Sequence, residues 1–355
     1  MLQPGLKNKK RFRVILLIVT LAVQFCIFQN ITAQDIHFSQ FTETPLWRNP
    51  AFGGVFNGDM RVQVSHRNQW QSVTTPYVTS AASMEFKLPN VNNDDVFTLG
   101  LQMVYDKAGT TNFKTSYLLP ALIYSKSLSQ ERNTYLSLGI MGGLGQRSID
   151  QDKITTSSQW DGSGYNPMLS INENLANYRL TYADASAGLS FNTSIGETIY
   201  DNLLLGISYH HFNRPKNSFY RNPEVELKGK WVYSLGVMFG LTDRTYLTFQ
   251  GNQTLQGKYS ETMLGAMIGF AIDQYEFEQS KYNLHIGSYL RLKDAIIPVV
   301  KLDMKPFSVS MSYDVNISSL KAASQMRGGF ELNLSYILFF QNRNTELKST
   351  LCPRF

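Results

Sequence analysis

From residue 59 onward the chain alternates between apolar and polar positions with a period of two. The segments run for about 10 to 14 residues and are bounded by Asn, Asp, Gly, Pro or Ser. Between Val96 and Asp106, Phe97, Leu99, Leu101, Met103 and Tyr105 share one face, while Thr98, Gly100, Gln102 and Asp106 share the other. Thr134 to Gln146 sets Leu136, Leu138, Ile140 and Leu144 against Ser137, Gly139, Gly143 and Gly145. Trp231 to Leu241 sets Trp231, Tyr233, Leu235, Val237 and Phe239 against Ser234, Gly236 and Gly240, and Phe330, Leu332, Leu334, Tyr336 and Leu338 oppose Glu331, Asn333 and Ser335. Side chains of an extended strand point to opposite sides in turn, so each segment predicts a strand with one apolar and one wet face.

Fourteen segments fit this template, near 59–70, 76–88, 95–107, 112–126, 133–147, 182–193, 202–213, 229–241, 244–255, 260–272, 281–293, 295–304, 306–316 and 328–340. An even count lets an up-and-down barrel close with both termini on one side of a membrane. Strands of a soluble sandwich are about 5 or 6 residues long, roughly half the length found here. Pro120 and Pro298 fall inside two of the segments, where each removes a ladder donor. Asn90 to Asp95 and Leu241 to Arg244 read as short turns, whereas 148–181 is long and polar, with a short helix expected near Ile171 to Ala176. That long segment is either an exposed loop or one folded into the lumen. The predicted fold is all-β: a transmembrane antiparallel up-and-down β-barrel of about 14 strands, with an irregular N-terminal segment and a long loop near 148–181.

Composition agrees with alternation rather than apolar blocks: 19 Tyr and 22 Phe accompany 17% charged residues and a mean hydropathy of -0.21. The first residues differ in kind. Lys7, Lys9, Lys10, Arg11 and Arg13 precede an apolar run from Val14 to about Val23, and Ile31, Thr32 and Ala33 follow. This is the order of a secretory signal, with cleavage expected between Ala33 and Gln34. The apolar run is short for a spanning helix of about 20 residues and is soon interrupted by Gln24, so a retained N-terminal anchor is the lesser alternative to cleavage. Phe25 before Cys26 argues against a lipoprotein signal. Removing residues 1–33 takes away five basic and no acidic side chains, so the formal charge falls from +6 to +1. The basic balance thus belongs to the targeting segment, and no stripe remains to bind nucleic acid. Cys352 is left alone, which excludes an internal disulfide.

Catalytic chemistry finds little support. The histidines are His37, His66, His210, His211 and His285; no Gly-x-Ser-x-Gly elbow occurs, although a spatial Ser-His-Asp arrangement leaves a membrane-embedded lipid hydrolase as a rival reading. His210 and His211 are adjacent on a predicted strand and are expected to point to opposite faces, so they cannot share a metal. Gly142, Gly143 and Gly145 lack the Lys-Ser/Thr of a phosphate loop and are read as small residues on a crowded wall. Asp161 to Gly164 lacks the spaced carboxylates of a calcium loop and is read as a tight turn. No cofactor or metal is expected, and no enzymatic activity.

QDIHFSQFTETPLWRNPAFGG at 34–54, RVQVSHRNQWQSV at 61–73 and PYVTSAASMEF at 76–86 closely resemble the PorP/SprF family of outer-membrane proteins. HFNRPKNSFY at 211–220, SYDVNISSLKAASQMRGGFELNLSY at 312–336 and CPRF at 352–355 resemble it too. The resemblance implies a Bacteroidetes outer-membrane barrel of the type IX secretion system that exports, or retains at the cell surface, large adhesin-like cargo, including motility adhesins in gliding species. It also implies periplasmic ring and peptidoglycan-linked components as partners, beside the lipid bilayer. A channel for small solutes is the alternative. The expected organisation is a signal peptide at 1–33, an N-terminal segment at 34–58, a barrel at 59–340 and a tail at 341–355. The N-terminal segment, with Phe38, Phe41, Pro45, Trp47, Asn49, Pro50 and Phe52, is too irregular for a strand. It is expected to plug or brace the lumen, to meet a periplasmic partner, or simply to pack under the barrel mouth. Arg67, Asn68 and Trp70 at the end of the first strand, and Phe355 in the tail, complete the candidate contacts, with Tyr77 in the aromatic belt.

Overall fold

The structure is a computed structural model that describes residues 35–69, 75–89, 94–173, 177–196, 198–273, 280–318 and 327–340. The expected cleavage site at Ala33 and Gln34, both cysteines, Trp70 and the tail with Phe355 lie outside these residues.

Fourteen strands form one closed antiparallel barrel. They are β1 (Met60–Gln69), β2 (Tyr77–Pro89), β3 (Val96–Ala108), β4 (Phe113–Ser129), β5 (Thr134–Ser148), β6 (Arg179–Ser194) and β7 (Asn202–His210). The circuit continues through β8 (Lys230–Gly240), β9 (Thr245–Gln256), β10 (Tyr259–Ala271), β11 (Tyr282–Arg291), β12 (Ala295–Met304), β13 (Phe307–Asn316) and β14 (Arg327–Leu338). Each strand pairs with its sequence neighbours, and β1 closes on β14 from Met60↔Leu338 to Gln69↔Gly329. A spanning sheet needs this closure, because an edge facing lipid leaves each unpaired N–H and C=O without a partner.

Both prolines are accommodated by a local gap. The β4–β5 ladder skips Leu119 and Pro120 between Leu118↔Leu144 and Ala121↔Met141 with no change of register, and β12–β13 skips Ile297 and Pro298 in the same way. Each proline keeps its pairing on the other side, with Leu101 and Ser288 respectively.

Alternation resolves into an outside and an inside. Leu99, Met103, Leu138, Ile140, Leu144, Ile286 and Leu334 are exposed, as suits side chains that face lipid, while Thr98, Gln102, Ser137, Asn333 and Glu331 are buried within. Exposed aromatics gather near the two rims: Tyr77, Tyr105, Trp231, Tyr313 and Phe330 at one end of their strands, Phe97, Phe270, Tyr282, Phe307 and Phe339 at the other. The Tyr and Trp rings among them place an apolar body and a polar edge where headgroups begin. Among the described residues no helix is long and apolar enough to cross a membrane; the crossing is made by strands.

The two ends differ. The end that carries the start of β1 and the finish of β14 has the turns at 130–133, 241–244 and 305–306, and the opposite end carries 149–178 and 211–229. We call them the turn end and the loop end. The long loop is largely exposed rather than folded inward, and its helical turns fall at Gln151–Lys153 and Ser157–Gln159. The helix expected near Ile171 is not formed over 171–173, and 174–176 lie outside the described residues. Asp161 Oδ1 accepts from Ser163 N at 3.0 Å and Gly164 N at 3.0 Å, closing a tight turn bridged by Trp160 and Tyr165.

A charge on the lipid face has no compensation at mid-membrane. Ile140→Arg, on the outer face of β5, is expected to lower stability by about 2–4 kcal/mol in folding titrations into lipid vesicles, whereas Met168→Arg in the exposed loop is expected to be neutral.

Candidate functional site

The lumen is occupied by the segment that precedes β1. Residues 35–59 begin beside Lys230, Arg67 and Arg291 near the loop end and finish at Met60 at the turn end, so the segment runs the length of the barrel interior. Its prolines keep it out of the sheet: Pro45 opens a helical turn, Pro45–Arg48, and Pro50 opens a 3-10 turn, Pro50–Phe52. Phe38, Leu46 and Trp47 pack with Val104, Tyr117, Leu119, Ile123, Met141 and Tyr182 on the inner wall of β3–β6. Phe41 packs with Met263, Met267, Tyr289, Ile297 and Val299 on β10–β12. Each large side chain fully buried this way contributes roughly 1.5–3 kcal/mol.

Polar anchors fix the segment at four heights. At the loop end, Asp35 receives Lys230 Nζ at 2.5 Å and His211 Nε2 at 3.1 Å, and His211 Nδ1 lies 2.8 Å from Asp184. Burial works against the Asp35 carboxylate, but Lys230 and His211 outweigh it and hold the group well below the usual carboxylate range. Burial also opposes charge on His211, yet its bonds to Asp184 and Asp35 prevail and raise it above its ordinary value.

Next, the Ser39–Gln40 backbone donates to Glu331, from Ser39 N at 2.7 Å and Gln40 N at 3.1 Å. Arg67 donates to Asp314 at 2.8 Å and to the His37 carbonyl at 2.8 Å, and Arg291 reaches Asp314 at 3.3 Å and Ser39 Oγ at 2.8 Å. Two guanidiniums and two carboxylates from β1, β11, β13 and β14 thus grip one peptide turn.

At mid-height, Asn49 Nδ2 donates to the carbonyls of Leu189 and Ile207 at 3.1 and 3.3 Å, while its Oδ1 accepts from Ala51 N at 2.9 Å. Arg48 reaches across to Ser234, Asn252 and the Gly251 carbonyl at 3.0, 3.0 and 3.1 Å. Its guanidinium is cationic at neutral pH, as arginine is throughout proteins. At the turn end, Glu85 accepts from Gly54 N at 2.8 Å and pairs with Arg61 at 2.7 Å, and Lys87 donates to the Phe56 carbonyl.

Three inward glycines form the bed for Asn49–Phe52. A Cβ on Gly139 would lie 2.5 Å from Ala51 N and Pro50 C, one on Gly188 1.9 Å from Asn49 Oδ1, and one on Gly206 2.4 Å from the Phe52 ring. Gly143 and Gly145 are small for a different reason: their Cβ atoms would meet the Leu118 carbonyl at 2.1 Å and the Tyr182 ring at 2.6 Å. Below the plug, a cavity of about 370 Å³ opens toward the turn end, with Phe52, Leu204, Tyr246, Met267 and Tyr289 on its walls and Arg48 at its inner end.

Of the residues singled out from sequence, Phe38, Phe41, Trp47, Asn49, Pro50 and Arg67 meet inside the lumen. Asn68 does not join them, because strand alternation turns it to the face opposite Arg67. Asp314, Glu331, Arg291, Glu85 and the three bed glycines were not singled out, since a charged or small residue on the wet face of a strand carries no mark of its partner.

The histidines also need correction. His210 and His211 do not point to opposite faces. β7 ends at His210, and the left-handed backbone of His211, φ 56°, turns its ring inward as well, so both are buried with ring centroids 6.4 Å apart. Their partners nevertheless differ, and no group of three or more His, Cys, Asp or Glu is arranged for a metal among the described residues. His66 and His210 meet serines, Ser80 at 2.9 Å and Ser208 at 3.0 Å, whereas His211 and His285 meet carboxylates. Among the described residues no histidine joins a serine to an acid, which a hydrolytic relay requires.

A closed, plugged barrel with lipid-facing apolar walls and aromatic rims defines an integral membrane protein of the outer-membrane type. Residues 30–336 match the family model described as type IX secretion system membrane protein PorP/SprF, and the chain belongs to that family. It is therefore a secretion-associated outer-membrane barrel. Among curated proteins none matches. Solved structures of similar shape include the Ralstonia pickettii toluene transporter TbuX, with 8% identity and TM-score 0.47 over 83% of this chain and 93% of that one. The Pseudomonas putida toluene transporter TodX shares 11% identity, TM-score 0.47, over 86% and 95%. BamA from Haemophilus ducreyi lacking POTRA domains 1-3 shares 8%, TM-score 0.40, over 79% and 70%.

Two outcomes test the plug. Gly139→Ala, whose new methyl would strike plug backbone, is expected to cost about 1–3 kcal/mol in equilibrium unfolding. Gly164→Ala, with nothing within 4 Å, is expected to cost little. The Asp35 anchor also predicts a pH dependence. His211, raised in the folded state, stabilises fully below its ordinary 6.5 and ceases to do so as pH rises through the raised value. Asp35, lowered in the folded state, stabilises above its ordinary 3.8 and ceases to do so as pH falls through the lowered value. The thermal midpoint of His211→Asn should therefore fall below wild type most clearly between these limits, and the gap should narrow in alkaline buffer. A gap independent of pH would count against a charged His211.

Proposed function

We propose that this protein is a non-enzymatic, sealed barrel that holds a large secreted protein, of adhesin type, at the cell surface or assists its export, using its two rims rather than its lumen. The observation that carries the reading is the plug. Its four anchors to strands all around the wall block the lumen and leave only a cavity on its turn side, so solute passage is a poor account of what the barrel is for. A rigid barrel with a filled interior is suited to presenting surfaces.

Support for a contact surface comes from the loop end. Trp160, Tyr165, Met168 and Tyr220 are exposed there, Met168 by 92%. The loops that carry them are tied together: Tyr220 Oη donates to Glu173 at 2.7 Å and Asn177 N to the Phe219 carbonyl at 3.2 Å. Exposed aromatic and methionine side chains on an ordered platform are the usual anchors of protein interfaces. The turn end, which carries both ends of the barrel, would then face periplasmic ring and peptidoglycan-linked components of the secretion system.

In a strain lacking this chain, surface proteolysis should find the cargo adhesin reduced roughly tenfold at the cell surface while unrelated outer-membrane proteins stay unchanged; normal cargo display would overturn the reading. The channel alternative is tested separately in planar bilayers. The wild-type barrel should be silent, and a variant lacking residues 35–56 should conduct; stable wild-type conductance would favour a solute channel.

A further inference from the structure

The cavity on the turn side of the plug is not accounted for by a scaffolding role, and its charges are unevenly compensated. Lys301 pairs with Glu43 at 2.8 Å, Asp303 with His285 at 2.9 Å, and Arg61 with Glu85 at 2.7 Å. Arg48, at the inner end, is different. It is only 7% exposed, and its Nε and Nη2 donate solely to neutral acceptors, the Ser234 hydroxyl, the Asn252 amide oxygen and the Gly251 carbonyl. The rings of Phe41 and Phe52 flank it, with their centroids 4.7 and 5.1 Å from its guanidinium carbon. Among the described residues no carboxylate lies within ion-pair distance of it.

A buried cation held by dipoles and ring faces alone keeps much of its desolvation cost uncompensated. An arriving carboxylate would supply the missing counter-charge, in the paired geometry that guanidinium groups favour. Gln63 and Asn202 also line the cavity and add polar side chains to its wall. The remaining wall is chiefly aromatic and aliphatic, and about 370 Å³ is the size of a small-molecule site.

We propose that this cavity binds a small apolar carboxylate, free or at the end of a peptide, with the Arg48 guanidinium holding the anionic group and Phe52, Leu204, Tyr246, Met267 and Tyr289 enclosing its apolar body. The site opens toward the turn end, so such a ligand arrives from that side of the membrane. The inference stands on the cavity alone and does not depend on the secretion reading above.

The test uses the full barrel in lipid nanodiscs and titration calorimetry with N-acetylphenylalanine, its uncharged amide, and the tripeptide N-acetyl-Ala-Ala-Phe. The acid should bind at least tenfold more tightly than the amide. Arg48→Gln, which keeps a neutral donor near Ser234 and Asn252, should remove that preference while changing amide binding less than threefold. Leu204→Trp, which fills the cavity from its wall and leaves Arg48 in place, should weaken both and keeps the proposal testable if Arg48→Gln fails to fold. Tighter binding of the tripeptide than of the single acid identifies a peptide end as the source, and the reverse identifies a free acid. Equal binding of acid and amide by the wild type, no binding of either, or an acid affinity untouched by both variants overturns the proposal.

Discussion

Closure of the sheet is the constraint on which the rest of this structure depends. Strands that cross a bilayer cannot leave an edge, so β1 must find β14, and the ladder from Met60↔Leu338 to Gln69↔Gly329 meets that demand. Closing fourteen strands has a geometric consequence. A barrel of about 8 strands is filled by its own side chains, whereas a wider one leaves interior space that must hold water, ligand or protein. Here the space is filled by a segment of the same chain, and its route from the loop end to the turn end is set by the wall it touches.

Filling a lumen differs from filling a soluble core, because the inner face of a membrane barrel is commonly polar. The plug therefore meets two kinds of surface. Apolar patches on β3–β6 and β10–β12 take its aromatics, and charged patches on β1, β2, β11, β13 and β14 take its backbone and polar side chains. A buried ion pair is weak evidence of net stability, since desolvation consumes most of the attraction. Its value here lies in position. Glu331 accepts from two successive backbone N–H groups, Ser39 and Gln40, and a shift of the plug by one residue would break both bonds and strand a carboxylate. Apolar contacts hold the segment inside, and the polar anchors choose its register.

This division explains the small residues too. Where the plug runs close to the wall, a Cβ would strike plug backbone at Gly139 and the side chains of Asn49 and Phe52 at Gly188 and Gly206. The bed crosses three consecutive strands, and its glycines form a site only when β5, β6 and β7 lie side by side. In sequence they are isolated glycines on the wet faces of three strands.

What the sequence by itself determined is the wall: period-two alternation is a local property of each strand, and lipid reads one face of every strand in the same way. The strand number and the assignment of Leu138 and Ile140 to lipid and Ser137 to the interior were legible for that reason, as was the family through the runs at 34–54 and 61–73. What only the tertiary structure decided is which residues meet across the lumen. Ser39 and Glu331 are 292 positions apart, and Arg48 and Asn252 are 204 apart. No local periodicity relates such residues, and the plug's irregular backbone offers none. Even the adjacent pair His210 and His211 was misjudged from alternation, because the end of a strand is fixed by pairing with its neighbours, and beyond that end the rule no longer holds.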